Sequence, residues 1–308
     1  MSRNVRISVI ANSGLANVPG TLESMLEYLR NEVEQVLPDK PDLIVFPEAC
    51  DRCVSFSEDQ QKAWYMLRGD RIRDFFSQIA RENRCYIAYS AIRYLSTEVE
   101  HPFRNSTQII GRDGVVVGMY DKNHLVPLEY DEREVAYGTE AEVIELDFGR
   151  VACIICFDLN FNSLLERYAA QKPDLIVFSS FYHGGIKQLE WASRCRSYFV
   201  GAIDHDQSRI LDAFGTEIAS TTNYQDYVTA SINLDSTVVH LDRNREKINA
   251  AKKKYGPFLQ VFDPGHYGSV RLSYEGTDKT IMDIVQEFGM LLLDDYLKLC
   301  LEHRETFS

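Results

Sequence analysis

The string PDLIVF occurs twice in this chain of 308 residues, at residues 41–46 and again at residues 173–178. Each copy is a short, continuously apolar run, which is typical of a strand that is covered on both faces. A helical pattern precedes the first copy at 21–37, and another follows the second copy at 187–198. We interpret the repeat as two related strand–loop units within one pseudo-symmetric system of sheets.

Strand-like and helical patterns alternate along most of the chain, which predicts an α/β protein. The predicted strands are 5–12, 42–48, 86–92, 115–121, 151–156, 174–180, 199–204 and 227–234. The predicted helices are 21–37, 70–83, 162–171, 187–198 and one C-terminal helix between 281 and 301. Two stretches, roughly 85–121 and 199–234, contain closely spaced strands with few helices between them. We therefore expect antiparallel strands there, and a mixed sheet.

No Pro/Gly/Ser-rich linker interrupts the sequence, so we expect a single domain over residues 1–308. The pattern changes after residue 235, where an amphipathic charged run leads into a loop region and then the C-terminal helix. We therefore describe 235–308 as a C-terminal extension and expect it to pack at a subunit interface.

The charge balance limits the class of partner. Lys and Arg number 33 against 46 Asp and Glu, a net charge of −13, which argues against nucleic acid and anionic membrane surfaces. No apolar run approaches the ~20 residues of a spanning helix, and the N-terminus lacks a signal-peptide pattern. We expect a cytoplasmic protein whose seven cysteines are free thiols. Cys50 and Cys53 form a lone C-x-x-C without the second pair that a zinc site needs.

Three chemically active side chains stand at the ends of three predicted strands: Glu48, Lys122 and Cys156. Taken singly, each has an ordinary interpretation as a helix-start acid, a solvated lysine or a packed thiol. As a group they are more informative, because a thiol becomes a nucleophile only with a base or cation nearby. Binding and catalytic groups of α/β sheets also collect beyond the carboxyl ends of strands.

The stretches FPEA around Glu48, YDKNHLVPLEY around Lys122 and CFD at Cys156 resemble the three signature stretches of the nitrilase superfamily of carbon–nitrogen hydrolases. They occur in the family's order, and the resemblance extends over roughly residues 5 to 234. It implies an α/β fold of the four-layer α-β-β-α sandwich type with mixed sheets. It also implies a homodimer or higher homo-oligomer.

The resemblance implies a role for each matching residue. Glu48 would be the general base, Lys122 the cation beside the oxyanion, Cys156 the nucleophile, and Glu129 the acid that orients the lysine or the substrate. No metal or organic cofactor is implied. The residues expected to contact the substrate are Phe157, Tyr182 and His183.

Two other motif residues are interpreted as structural: His124 as a loop-holding side chain and Asp158 as a brace for the turn after the nucleophile. Asn160 stands where the family often has an arginine. The C-F-D triplet, in place of the C-W-E of true nitrilases, favours an amide over a nitrile. His183 is open to a second interpretation as a satisfied loop histidine.

The implied reaction is hydrolysis of a non-peptide carbon–nitrogen bond, in an amide or N-carbamoyl amide, through a cysteine thioester. The partner would be a small-molecule substrate. The alternatives are acyl transfer on the same scaffold, nitrile hydrolysis and, least favoured, a catalytically silent interaction module. The sequence contains neither a G-x-x-x-x-G-K-[ST] loop nor a G-x-G-x-x-G turn, the two glycine motifs that bind phosphates, which disfavours a phosphate-binding enzyme.

Overall fold

The computed structural model describes residues 2–12 and 14–307, and the chain divides into two compact units. Among the described residues, the larger unit lies within 6–231, and the smaller unit comprises 2–5 and 232–307. In chain order, the strands are β1 (Asn4–Ile10), β2 (Leu43–Val45), β3 (Tyr86–Tyr94), β4 (Phe103–Ile110), β5 (Val116–Asp121), β6 (Ile144–Leu146), β7 (Gly149–Ile155), β8 (Leu175–Ser180), β9 (Tyr198–Ile203), β10 (Arg209–Leu211), β11 (Glu217–Ser220), β12 (Tyr227–Asn233), β13 (Ser236–His240), β14 (Leu259–Phe262) and β15 (Ser269–Tyr274). The helices are α1 (Leu22–Val36), α2 (Glu58–Arg68), α3 (Arg71–Asn83), α4 (Pro127–Asp131), α5 (Asn162–Gln171), α6 (Ile186–Cys195), α7 (Arg245–Tyr255), α8 (Ile281–Glu287) and α9 (Leu293–Glu305).

Two six-stranded sheets run through the larger unit, in the orders β12-β1-β2-β3-β4-β5 and β11-β10-β9-β8-β7-β6. In the first sheet β1, β2 and β3 are parallel, and β4 and β5 continue it antiparallel. In the second sheet β7, β8 and β9 are parallel, and the remaining strands are antiparallel. Both sheets are therefore mixed, and the prediction of antiparallel additions is confirmed.

The two PDLIVF copies form β2 and β8. Each of these strands lies inside its own sheet with a parallel neighbour on either side. The residue after the second copy contacts the end of the first copy, because the Ser179 hydroxyl donates to the Phe46 carbonyl at 2.9 Å. The repeat thus marks equivalent places in two related sheets.

Helices cover the outer faces of the two sheets. The amphipathic helix α1 buries Met25, Leu29 and Val33 in the core of the first sheet, while α2 and α3 contact β3. On the other side α5 and α6 pack together and α6 contacts β9. The sheets meet through contacts of β3 with β8 and of β4 with β7. This arrangement is the predicted four-layer α-β-β-α sandwich.

The smaller unit has its own antiparallel sheet, β13-β15-β14, and its own apolar core with α7 and α8. The prediction of one helix between 281 and 301 was wrong. The chain leaves the helix after α8 and adopts a φ of +58° at Gly289 before α9 begins. Glycine occupies this left-handed conformation without the steric cost that other residues meet. The predicted helix 187–198 also ends earlier, at Cys195, because Arg196 is left-handed and Tyr198 begins β9.

Candidate active site

The three predicted side chains meet in one place. Glu48 lies on the loop after β2, Lys122 follows β5 directly and Cys156 follows β7 directly. The Lys122 ammonium donates to Glu48 Oε1 at 3.0 Å. The Cys156 thiol has a side-chain hydrogen bond with Glu48 and interacts with the Lys122 charge. The sandwich therefore brings an acid, an ammonium and a thiol together from two sheets.

A second carboxylate completes the ion cluster. Glu129, in the short helix α4, accepts from Lys122 Nζ at 2.9 Å and 2.8 Å through its two oxygens. Its Oε2 also accepts from the Val126 backbone N–H at 2.9 Å, which holds the carboxylate at the start of the helix. The predicted contact between Glu129 and the lysine is thus present.

Asn105 was missed by the sequence analysis. Its side-chain amide donates to Glu48 Oε1 at 2.7 Å and to Glu129 Oε1 at 3.1 Å, so that it bridges the two acids. Its backbone carbonyl also accepts from the Lys122 N–H at 2.8 Å. The available signal was an asparagine inside β4, since asparagine is depleted in strands.

We call Glu48, Asn105, Lys122, Glu129 and Cys156 the floor of the site. The first four are almost completely buried, with exposures between 2% and 5%. Burial lowers the pKa of Lys122, but the charges of Glu48 and Glu129 outweigh it and raise this pKa above its ordinary value. The ammonium therefore stays charged throughout the physiological pH range.

Burial raises the pKa of the Cys156 thiol to about 12, with a further rise from the charge of Glu48. The charge of Lys122 and a hydrogen bond from Ser180 oppose this rise. The resting group is therefore a neutral thiol that needs a base. Its backbone has a φ of +49°, a left-handed conformation that costs a non-glycine residue roughly 1–2 kcal/mol. The strained turn presents the thiol at the end of β7.

Asp158 connects the turn after Cys156 to the lysine loop. Its Oδ2 accepts from the Ile155 N–H at 3.1 Å and from the Tyr120 hydroxyl at 2.7 Å. Its Oδ1 accepts from the His124 N–H at 2.8 Å and lies 2.9 Å from His124 Nδ1. The His124 ring stacks on Phe161. These contacts agree with the structural roles predicted for His124 and Asp158.

A cavity of about 120 Å³ opens onto the floor. Beyond the floor, its lining includes Ala49, Arg52, Tyr65, Arg133, Val135 and Phe181. Phe157, Tyr182 and His183, the expected substrate contacts, are not part of this lining. The neighbouring Phe181 lines it instead, and its backbone N–H donates to Glu48 Oε2 at 3.3 Å.

The three expected substrate contacts have protein partners. Asn160 donates to the Phe157 carbonyl at 3.1 Å and to the Tyr182 hydroxyl at 3.0 Å, so it ties the turn to the loop after β8. His183 Nε2 lies 2.7 Å from the Arg209 guanidinium. Burial and the charge of Arg209 lower the pKa of His183. Contact of these residues with a substrate stays a prediction.

The cysteines are free thiols, as predicted, and Cys50 and Cys53 are buried. Over residues 2–12 and 14–307, no group of three or more His, Cys, Asp and Glu side chains is placed to hold a metal ion. In the same part of the chain, no helix combines the length and apolar character needed to cross a membrane.

The family model for carbon-nitrogen hydrolases matches residues 6–202. This chain belongs to the carbon-nitrogen hydrolase family. The match includes the central strands of both sheets and every residue of the floor, so the resemblance to the nitrilase superfamily is confirmed.

Among curated members of the family, the nitrilase and fragile histidine triad fusion protein of Caenorhabditis elegans is 23% identical over 69% of this chain and 54% of its own length. A deaminated glutathione amidase of Escherichia coli is 24% identical over 73% of this chain and 90% of its own length. The chain spans about half the length of several such relatives, including 48% of an Arabidopsis thaliana omega-amidase.

Solved structures of the family share the fold. The Caenorhabditis elegans fusion protein superimposes with a TM-score of 0.67 at 21% identity, over 80% of this chain and 64% of that chain. An amidase from Nesterenkonia has a TM-score of 0.60 at 15% identity, over 75% of this chain and 90% of that chain. In that structure a point mutant of the amidase carries the acetamide moiety of fluoroacetamide, added covalently at its active-site cysteine.

Proposed function

We propose that this carbon-nitrogen hydrolase family member cleaves the carbon–nitrogen bond of a small, non-peptide amide through a thioester on Cys156. The observation that carries the proposal is the floor itself. A neutral thiol lies against a buried carboxylate that can take its proton, and a permanently charged ammonium touches the same carboxylate. Curated relatives named as amidases support the choice of an amide.

In the acylation half, Glu48 accepts the thiol proton as the sulfur forms a bond to the carbonyl carbon. The carbonyl electrons move onto oxygen, and the Lys122 ammonium and the Phe157 backbone N–H stabilise the oxyanion. The oxyanion then reforms the carbonyl and expels the amine, which takes the proton from Glu48. The products of this half are a thioester on Cys156 and a free amine.

In the deacylation half, Glu48 takes a proton from water, whose oxygen attacks the thioester carbon. Collapse of this second oxyanion releases the acid, and the sulfur recovers its proton from Glu48. The pKa of about 12 explains why a base is needed, because little thiolate exists at neutral pH without proton transfer. Glu129 and Asn105 stay in place throughout and hold Lys122 and Glu48.

The charges of the floor suit this cycle. At rest the two ionised glutamates and one ammonium sum to −1. When Glu48 becomes protonated, the substrate oxyanion carries the negative charge, so the sum is unchanged and Lys122 exchanges one anionic partner for another. Buried sites gain from such an exchange, since net charge is costly in a low dielectric.

The proposal is tested by release of ammonia from a panel of small primary amides, N-carbamoyl compounds and nitriles. We expect the native protein to release ammonia from primary amides and the Cys156→Ala variant to release none. Cys153→Ala is the matched control, because it removes a buried thiol from β7, the strand that leads to Cys156, and burial alone raises the pKa of that thiol. Undiminished release by Cys156→Ala would refute the proposal.

A further inference from the structure

Three cationic side chains line the cavity above the floor, and we call Arg52, Lys62 and Arg133 the cationic rim. Two of the three have acidic partners. Lys62 Nζ lies 2.5 Å from Glu134, and the Arg133 guanidinium lies 2.8 Å from Glu58. Across residues 2–12 and 14–307, no carboxylate lies within ion-pair distance of Arg52. The rim therefore has one guanidinium whose charge is uncompensated at close range.

Arg52 is nevertheless held in place. Its guanidinium carbon lies 5.7 Å from the centre of the Phe181 ring, in a cation–π contact. Phe181 is itself attached to the floor, because its backbone N–H donates to Glu48. Stacking occupies a face of the guanidinium and leaves the N–H groups at its edge available for hydrogen bonds. Asp204 interacts electrostatically with Arg52, but its Oδ2 lies 2.7 Å from His205.

A half-buried guanidinium without a carboxylate at ion-pair distance is incompletely compensated, and a planar carboxylate is the ligand that fits its fork. Arg52 and Cys156 border the same small cavity, so one compact molecule can reach both. We propose that Arg52 binds a carboxylate carried by the substrate, and that the substrate class is therefore a short amide with a carboxylate. The kinetic test of this inference rests on the proposed function, because it requires amide hydrolysis.

The carboxylate could belong to the acyl part or to the amine part of the amide. Glutaramate and its neutral counterpart valeramide differ only by a carboxylate in place of a methyl group on the acyl part. N-butyrylglycine and N-ethylbutyramide make the same comparison on the amine part. Rates of ammonia release for the first pair and of butyrate release for the second identify which part Arg52 binds.

We expect kcat/KM for the carboxylate member of one pair to exceed that of its neutral counterpart by about 10- to 100-fold, the size that charge-assisted hydrogen bonds predict. Arg52→Gln should remove this preference, because it lowers kcat/KM for the carboxylate member far more than for the neutral member. Arg30→Gln is the matched control, because Arg30 is an exposed arginine that stacks on Phe75 at 5.2 Å and lies outside the cavity. It should keep the preference.

Binding to the Cys156→Ala protein, measured by calorimetry, separates this inference from the proposed function. Tighter binding of a carboxylate member than of its neutral counterpart, abolished by Arg52→Gln, supports the inference even if the native protein hydrolyses no amide in the panel. Equal binding of the members of each pair overturns it. So does an equal loss of kcat/KM for charged and neutral members in Arg52→Gln, while the proposed function stands.

Discussion

The floor of the cavity and its cationic rim compensate their charges in different ways. On the floor, Lys122 touches both Glu48 and Glu129, and Asn105 donates to both acids. On the rim, Arg52 has a ring beneath it and no carboxylate of the described residues within ion-pair distance. The ammonium and the two carboxylates of the floor are thus paired with each other within the protein, without a substrate. On the rim, the positive charge of Arg52 is left for the proposed substrate carboxylate to compensate.

The largest expected effect comes from removing the centre of the floor. Lys122→Met leaves two buried carboxylates facing each other without their cation. We expect it to lower the free energy of unfolding by about 3–5 kcal/mol and to abolish hydrolysis. Urea unfolding monitored by circular dichroism measures the first effect.

The matched control for this prediction is Lys62→Met on the rim. Lys62 and Glu134 have side-chain exposures of 20% and 44%, so this ion pair contributes only about 0–1 kcal/mol. Equal destabilisation by the two variants would show that the floor and the rim do not differ as described.

The next effect concerns the base. Glu48→Gln should lower kcat by about 10²- to 10⁴-fold, since proton transfer by a positioned group contributes about that much. The same change should lower the pKa of Cys156 from about 12, because the charge of Glu48 raises it while that of Lys122 does not. The pH dependence of Cys156 alkylation by iodoacetamide, followed by peptide mass spectrometry, measures this pKa.

Glu58→Gln makes the same chemical change in the same cavity but on the partner of Arg133. It should leave the thiol pKa where it is. If the pH dependence of Cys156 alkylation in Glu48→Gln is unchanged, or shifts to higher pH, the assignment of Glu48 as the neighbouring base is contradicted.

The smallest effect on the floor is expected at Asn105, a positioning residue. Asn105→Ala removes two hydrogen bonds to carboxylates and should lower kcat by about 10-fold with little change in KM. Gln108→Ala is the control, since this buried amide of the same strand donates to Tyr89 instead of the acids. If both variants lose the same stability and the same kcat, Asn105 has only a structural role.

Local signals in the sequence predicted the α/β alternation and the three candidate residues at strand ends, whereas the four-layer sandwich was implied by the family resemblance. Apolar runs marked the central strands, and Glu48, Lys122 and Cys156 stand directly at or near strand ends. The helix α2 was missed although Ser57 and Gln60 form a capping box at its start. This signature of a helix N-terminus is readable in a sequence.

Other parts of the site could not be predicted, for physical reasons. Asn105 acts through contacts with residues far along the chain, and no local pattern reveals them. The loop after β8 was expected to contact the substrate through Tyr182 and His183, whereas Phe181 lines the cavity. Contact of Tyr182 and His183 with a substrate stays a prediction. No sequence motif marks Arg52, because its proposed role depends on having no carboxylate, among those the structure describes, within ion-pair distance, and that follows only from the fold.

In the proposed reaction, Cys156 carries the acyl group as a thioester. The most direct test is acid quenching of the native protein during turnover of a primary amide, followed by mass spectrometry of the peptide that contains Cys156. We expect the acyl mass increment on this cysteine and none in the Cys156→Ala variant. Steady hydrolysis without any increment on Cys156, or with an increment on the exposed Cys300 instead, would contradict it.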